Sequence, residues 1–197
     1  MTVKILGVGG SMREGSYSTL AVRLCLDIAA ELGAETRLLD LRTAELLMYR
    51  PDAAAAESVR VVGEAVGWAD AFLLGTPDYH GSMSGAMKNF LDYHWSEFAG
   101  KLFGYVCASH EKGLTVMDHM RTAVRQCYGW SLPYGVSIHG EQDFDATGGI
   151  ANPRQSQRLT MLSRDLSVYG ALLRGQFDRD LVDREPNTFA ARYGKQG

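Results

Sequence analysis

The chain has 197 residues, enough for one domain with a sizeable core, and its 46% hydrophobic and 22% charged content is ordinary for a globular fold in water. A formal net charge of -3 gives neither the basic stripe of a nucleic-acid binder nor the strong acidity of a docking protein. No apolar run approaches the roughly 18 residues of a membrane span, and no signal-peptide pattern precedes the first strand, so a cytoplasmic protein with no nucleic-acid or membrane partner is expected.

Residues 3–8 read as a first strand, and Ala21, Leu24, Cys25, Ile28 and Leu32 mark one face of the helix after it, which Gly33 ends. Residues 35–41 make a second strand. Residues 42–56, with Pro51-Asp52 and an alanine run, read as a loop with short helical pieces, and Val59, Val62 and Val66 belong to a second helix. Ala71-Phe72-Leu73-Leu74 is a short, fully buried third strand, stopped by the breakers between Gly75 and Ser82. Met83, Ala86, Met87, Phe90 and Leu91 then recur at helical spacing, with Ser82 or Ser84 available as cap. Residues 101–108 form a fourth strand. Met117, Met120, Val124 and Cys127 mark a helix over 113–128, residues 133–138 a fifth strand, and Leu159, Leu162, Leu166, Tyr169 and Leu173 a last helix over 153–173.

Five strands alternating with five helices imply a parallel sheet covered on both faces, because parallel neighbours need crossover helices. Nothing marks a domain boundary, so a single domain over 1–197 is expected. The polar tail, 175–197, carries Phe177, Leu181 and Phe189 as anchors and would wrap the domain or a partner subunit.

Cys25, Cys107 and Cys127 are odd in number and widely spaced, which gives no disulfide framework and no zinc pattern; they read as reduced packing residues. The five histidines match no metal-ligand spacing, so no metal is expected. Asp70 reads as a strand-start residue and Asp92 as the ion-pair partner of Lys88. His94 and Trp95 are placed at a subunit interface or substrate wall, and Tyr128, Trp130 and Tyr134 in core packing or a dimer contact.

The loop Gly9-Gly10-Ser11-Met12-Arg13-Glu14-Gly15-Ser16-Tyr17-Ser18-Thr19 stands directly ahead of a helix. A triphosphate-binding loop would need Lys after Gly15, where Ser16 stands. A dinucleotide fingerprint would need glycine where Met12 stands, although Asp40 ends the second strand where a ribose ligand would be. Two readings remain beside that one. Ser11, Ser16, Ser18 and Thr19 could donate to a monophosphate whose charge Arg13 offsets, or Ser18 or Thr19 simply caps the helix of a solvated loop.

Taken together, Gly10-Ser11-x-Arg13-x-x-Ser16-Tyr17-Ser18 and Pro77-x-Tyr79-x-Gly81-Ser82-x-Ser84-Gly85-x-x-Lys88-Asn89-x-Leu91-Asp92 resemble the NADPH-dependent FMN reductase family of flavodoxin-like proteins, over about residues 1–140. The Arg-Glu-x-Ser-Tyr-Ser and His-Gly-x-Met-x-Gly variants look most like the arsenical-resistance flavoprotein branch. The resemblance implies a flavodoxin-like, doubly wound three-layer sandwich with a five-stranded parallel sheet in the order 2-1-3-4-5. It implies FMN at the C-terminal sheet edge, with Ser11, Arg13, Ser16, Ser18 and Thr19 at the phosphate and Tyr17 in the same loop. Pro77, Asp78, Tyr79, His80, Gly81 and Ser82 would follow the ring edge through backbone groups. Ser109, His110 and Gly113 stand where the family has its third flavin loop, a loop usually small and glycine-rich, whereas His110, Glu111 and Lys112 are bulky.

NADPH or NADH would reduce the flavin, and a quinone, free flavin, azo or nitro compound or metal oxyanion would then take the electrons by ping-pong kinetics. No protein acid or base is required for this. A homodimer or homotetramer completing the pocket is expected. The rival readings are a flavodoxin-like electron carrier without a nicotinamide site, and a Rossmann-type NAD-binding regulator.

Overall fold

A computed structural model describes residues 2–52, 54 and 56–194; Ala53 and Ala55 of the alanine run, and positions 195–197 of the tail, lie outside the described residues. Strands β1 (Lys4–Gly9), β2 (Glu35–Asp40), β3 (Ala71–Pro77) and β4 (Leu102–Ala108) are all parallel, and the sheet runs β2-β1-β3-β4 before its last position. That position is shared by two short strands, β5 (Trp130–Ser131) and β6 (Val136–Ile138), each paired to β4. The fifth strand expected over 133–138 is therefore shorter, covering Val136–Ile138, and an unexpected two-residue strand precedes it. Pro133 lacks an N–H for the ladder, and the backbone leaves β4 between Leu132 and Gly135 before rejoining it.

The helices are α1 (Tyr17–Glu31), α2 (Glu57–Trp68), α3 (Gly85–Asp92), α4 (Leu114–Gln126), the short α5 (Gly140–Asp143), α6 (Pro153–Val182) and the short α7 (Phe189–Tyr193). Alternation along the strands divides the core into two layers, because successive side chains point to opposite sheet faces. On one face Leu6, Phe72, Leu74 and Phe103 pack with Val62, Val66, Met87, Phe90 and Met120 of α2, α3 and α4. On the other, Ile5, Leu73 and Val106 meet Val22, Cys25 and Leu26 of α1 and Leu159, Leu162 and Leu166 of α6.

Helix α1 approaches the sheet closely. A Cβ on Gly75 would stand 2.3 Å from Val22 Cγ2 and 3.0 Å from the Ser18 carbonyl, and one on Gly7 would stand 2.5 Å from Val22 Cγ1. Only glycine fits at these positions while α1 keeps this height above β1 and β3. The N-cap position of α1 is Ser16, two residues ahead of Ser18 and three ahead of Thr19, the caps of the solvated-loop alternative, and Ser84 rather than Ser82 caps α3 by accepting from the Met87 amide at 3.1 Å.

The last helix is longer than the 153–173 expected. Phe177 extends its buried face, and α7 folds back so that Ala99, Phe177 and Ala190 form a small third cluster with Tyr128, Leu181 and Tyr193. Tyr128 stacks on Tyr193 with centroids 4.1 Å apart. The tail thus packs on its own chain up to residue 194. Asp70 stands immediately before β3 and accepts from the Lys4 amide at 3.0 Å, while Lys88 and Asp92 form the expected ion pair. His94 is buried against Phe90 and Phe98, whereas Trp95 is exposed. Among the described residues no helix is long and apolar enough to cross a membrane.

Phe177→Ala should destabilise the fold by about 3 kcal/mol, the usual loss for a buried phenylalanine. The chemical denaturation midpoint checks this, and loss of the Tyr128–Tyr193 stack should appear in the near-ultraviolet circular dichroism.

Candidate functional site

The loops that leave the C-terminal ends of β1, β3, β4 and β6 surround one open cavity of about 630 Å³. This is the edge where open α/β sheets take ligands. Ser11, Arg13, Ser16 and Tyr17 line it from the first loop; Pro77, Asp78, Tyr79, His80 and Gly81 from the second; Ala108, Ser109, His110 and Glu111 from the third. His139, Gly140 and Glu141 close it from a fourth side. The sequence reading named no residue of this fourth segment.

In the first loop, a serine occupies the α1 cap position, yet its side chain caps no amide; the Ser16 and Ser18 hydroxyls bond each other at 3.0 Å. The first turn of α1 also holds no acidic residue. Its leading amides and dipole therefore offer positive potential to an anion, with the exposed Arg13 on the same rim. Ser18 and Thr19 do not line the cavity. Ser18 is buried beneath the loop, and Thr19 packs where a Cβ on Gly9 would stand.

The second loop is a tight turn. Tyr79 and Ser82 exchange backbone bonds, 3.0 Å from the Tyr79 amide and 3.2 Å from the Ser82 amide, and both central residues have positive φ, 57° at His80 and 79° at Gly81. Two successive positive φ values match the two-residue hairpin turn that suits strand twist. The Asp78 amide donates to the Ala108 carbonyl and the Gly81 amide to Asp78 Oδ1, both at 2.8 Å. Of the amides in this stretch, only that of His80 lacks a protein acceptor among the described residues. The expectation that several turn amides face a ligand contracts to this one, because the turn consumes the others. Ser82 points elsewhere, its hydroxyl 3.0 Å from His119 Nδ1 of α4.

Asp78 joins the second and third loops. Its Oδ2 accepts from the Ser109 hydroxyl at 2.8 Å, Ser109 Oγ in turn accepts from the Glu111 amide at 3.0 Å, and the Ser109 amide reaches the Ile138 carbonyl at 3.0 Å. Both carboxylate oxygens are thus engaged within the protein. Gly113 lies behind this wall at the start of α4, with φ 58°, lining a neighbouring hollow with Lys112 rather than the main cavity. A Cβ there would meet Cys107 Sγ at 2.8 Å. The Cys107 thiol is pushed up to about 12, first by burial and then by the charge of Asp78, so it stays protonated and is no nucleophile here. The Cys25 thiol, wholly enclosed, is likewise raised to about 12 by burial.

The fourth segment starts where β6 ends. Gly140 allows the Tyr17 ring to lie where a Cβ would be 2.7 Å away, and Tyr17 also packs on Phe144 at 5.3 Å between centroids. The position just after the last strand was the available signal for this wall, since every strand end on this edge borders the crevice. Among the described residues no group of three or more His, Cys, Asp or Glu is placed to hold a metal ion.

Comparison with known proteins gives this arrangement relatives. The sequence model of the family described as NADPH-dependent FMN reductase matches residues 3–143. The chain is 26% identical to an NAD(P)H-dependent FMN reductase of Pseudomonas aeruginosa, covering 88% of this chain and 98% of the relative. It is 27% identical to the NADPH-dependent FMN reductase ArsH of Shigella flexneri, over 96% of this chain and 76% of the relative. Among solved structures, the flavoenzyme NAD(P)H:(acceptor) oxidoreductase FerB from Paracoccus denitrificans superposes with a TM-score of 0.73 at 18% identity, covering 86% of this chain and 97% of the other. At that identity the superposition shows a common fold.

Asp78→Ala should release the turn and the third loop together while the core stays intact. Amide hydrogen exchange is expected to quicken at Gly81 and Glu111, with a stability loss of about 1–2 kcal/mol for the broken part-buried bonds.

Proposed function

The chain belongs to the NADPH-dependent FMN reductase family, and on that premise we propose that it is an FMN-dependent NAD(P)H oxidoreductase that reduces small acceptors such as quinones, free flavins, azo or nitro compounds, or metal oxyanions. The observation that carries this reading is the meeting of the Ser11–Tyr17 and Pro77–Gly81 segments on one cavity. The residues present fit FMN: an α1 N-terminus with no side-chain cap for a phosphate, and a hairpin with one unspent amide beside it.

FMN, when bound, supplies the acceptance of a hydride from NAD(P)H and the passage of electrons to the second substrate. The protein's part is binding and orientation. The first-turn amides of α1 with Ser11 and Ser16 would hold the phosphate, and Arg13 would offset its charge. Ser18 would act one step removed, through its bond to Ser16. The His80 amide would donate to the ring edge, and Asp78 fixes the angle at which it does so. Tyr79, 49% exposed at the mouth, would form the wall against which the nicotinamide and the acceptor bind in turn. A homodimer or homotetramer whose second copy completes the opening is part of this reading. A cytoplasmic setting, where NAD(P)H is regenerated, fits this chemistry.

Purified protein loaded with FMN should lose its flavin absorbance rapidly on anaerobic addition of NADPH or NADH and regain it with 1,4-benzoquinone. Flavin that ignores both nucleotides would instead identify an electron carrier, and failure to bind FMN at all would favour a nicotinamide-binding regulator. Arg13→Ala should weaken FMN binding about tenfold, as expected for one charge-assisted contact, with an unchanged far-ultraviolet spectrum. Fluorescence titration of FMN measures this directly.

A further inference from the structure

Two histidines from different loops meet on the cavity wall. His110 Nδ1 and His139 Nε2 are 3.1 Å apart, with the rings edge to face at 4.8 Å and 76°. One hydrogen must lie between them, because two bare nitrogens or two N–H groups would repel at this distance. His139 is the anchored member. Its amide donates to Asp143 Oδ2 at 2.6 Å, and Asp143 Oδ1 accepts from Asn152 Nδ2 at 2.6 Å, tying the segment to the start of α6. His139 Nδ1 is buried with no hydrogen-bond partner among the described residues, whereas His110 is exposed.

This asymmetry assigns the two rings different parts. When the pair carries an extra proton, one hydrogen lies between the rings, His139 Nδ1 holds the second in its buried position, and the third is at His110 Nε2, on the ring that reaches solvent. The other charged or titratable side chains on the cavity are Arg13, Tyr17, Asp78, Tyr79, His80, Glu111 and Glu141, and Asp143 bonds the His139 amide; His80 is an imidazole with no ring hydrogen bond to His110 or His139, so it serves as the control. Asp78 has both oxygens engaged by the Gly81 amide and the Ser109 hydroxyl, so it has no free edge for a ligand. Imidazole is the side chain whose ordinary charge change falls between pH 5 and 8.

We propose that His110, positioned by His139, donates the proton that a quinone-type acceptor takes up during its reduction. This rests on the oxidoreductase reading above. A hydride from NAD(P)H provides two electrons and one proton, whereas reduction of a quinone to a hydroquinone consumes two electrons and two protons. The missing proton comes from His110: its Nε2–H bond breaks, an O–H bond forms on the acceptor, the imidazolium becomes neutral imidazole, and water on the exposed side reprotonates it.

The test compares two acceptors in the FMN-loaded protein with NADPH. 1,4-Benzoquinone takes up two electrons and two protons, whereas ferricyanide takes one electron and no proton. His110→Gln should lower the ratio of quinone to ferricyanide kcat about a hundredfold, the lower end of general-acid effects, and should abolish the fall in quinone rate as pH rises through the imidazole range. His139→Leu should do the same, and His139→Gln, whose side-chain oxygen can accept from His110 Nδ1, should recover most of the ratio.

Separately, nitrogen NMR of the cofactor-free protein should show a hydrogen bond between His110 Nδ1 and His139 Nε2 that is lost when either ring is replaced. An equal loss with both acceptors, no hydrogen bond between the two rings, or the same ratio change from His80→Gln, Glu111→Gln or Glu141→Gln but not from the His110 and His139 variants would overturn the proposal. If NADPH fails to bleach the flavin of the parent protein, the oxidoreductase reading itself is overturned, and that result requires no variant.

Discussion

The cavity exists where it does because α1 lies almost on the backbone of the sheet. Gly7 and Gly75 leave room for Val22 and Leu26 to reach β1 and β3 directly, so the start of α1 is held low over the crevice between those strands. A larger residue at either position would lift the helix and carry its leading amides away from the second loop. The same closeness explains why the loop between β1 and α1 can be short and polar: the core on this face is completed by Val22, Cys25 and Leu26, not by the loop.

From this fixed edge the remaining loops are joined in series. The Gly10 amide donates to the Gly75 carbonyl at 2.7 Å, and the Ser84 hydroxyl donates to the Gly10 carbonyl while accepting from the Met87 amide. One side chain thus caps α3 and binds the first loop to the second. Asp78 repeats this arrangement between the second loop and the third, and Asp143 between the fourth and α6. Each joint uses a short polar side chain with both of its hydrogen-bonding sides occupied, which orients a binding surface before a ligand arrives. The polar side chains that look catalytic in a one-dimensional reading are in large part these joints.

The succession of strands and the two glycine-bounded loop motifs were legible in the sequence, because buried parallel strands read as apolar runs and turns punctuate them, whereas the spatial order of the strands came from the family resemblance. Three features were not. The division between β5 and β6 is a backbone departure that hydrophobic runs do not record, although Pro133 hinted at it. The extension of α6 past Leu173 was obscured by Gly175, whose intrinsic penalty of about 1 kcal/mol is outweighed by burial of Phe177 and packing against α7. His139 escaped notice because no motif surrounds it; its partner His110 lies 29 positions earlier in the chain, and only the end of β6 brings the two together. Ser82 and Gly113 show the reverse. They sit within the right motifs, yet local geometry turns one toward α4 and places the other behind the wall.

The divided last strand has a consequence for the protein among other chains. A long, straight strand at the rim of a sheet offers a ladder of unpaired amides and carbonyls on which a foreign segment can grow. Beside β4 the rim presents only Trp130–Ser131 and Val136–Ile138, interrupted by a proline that cannot donate, while the opposite rim is the polar six-residue β2. Neither piece is long enough to register a neighbour, so the interruption acts as a guard against edge-to-edge aggregation while the same departure of the backbone sets the fourth loop on its course to the cavity.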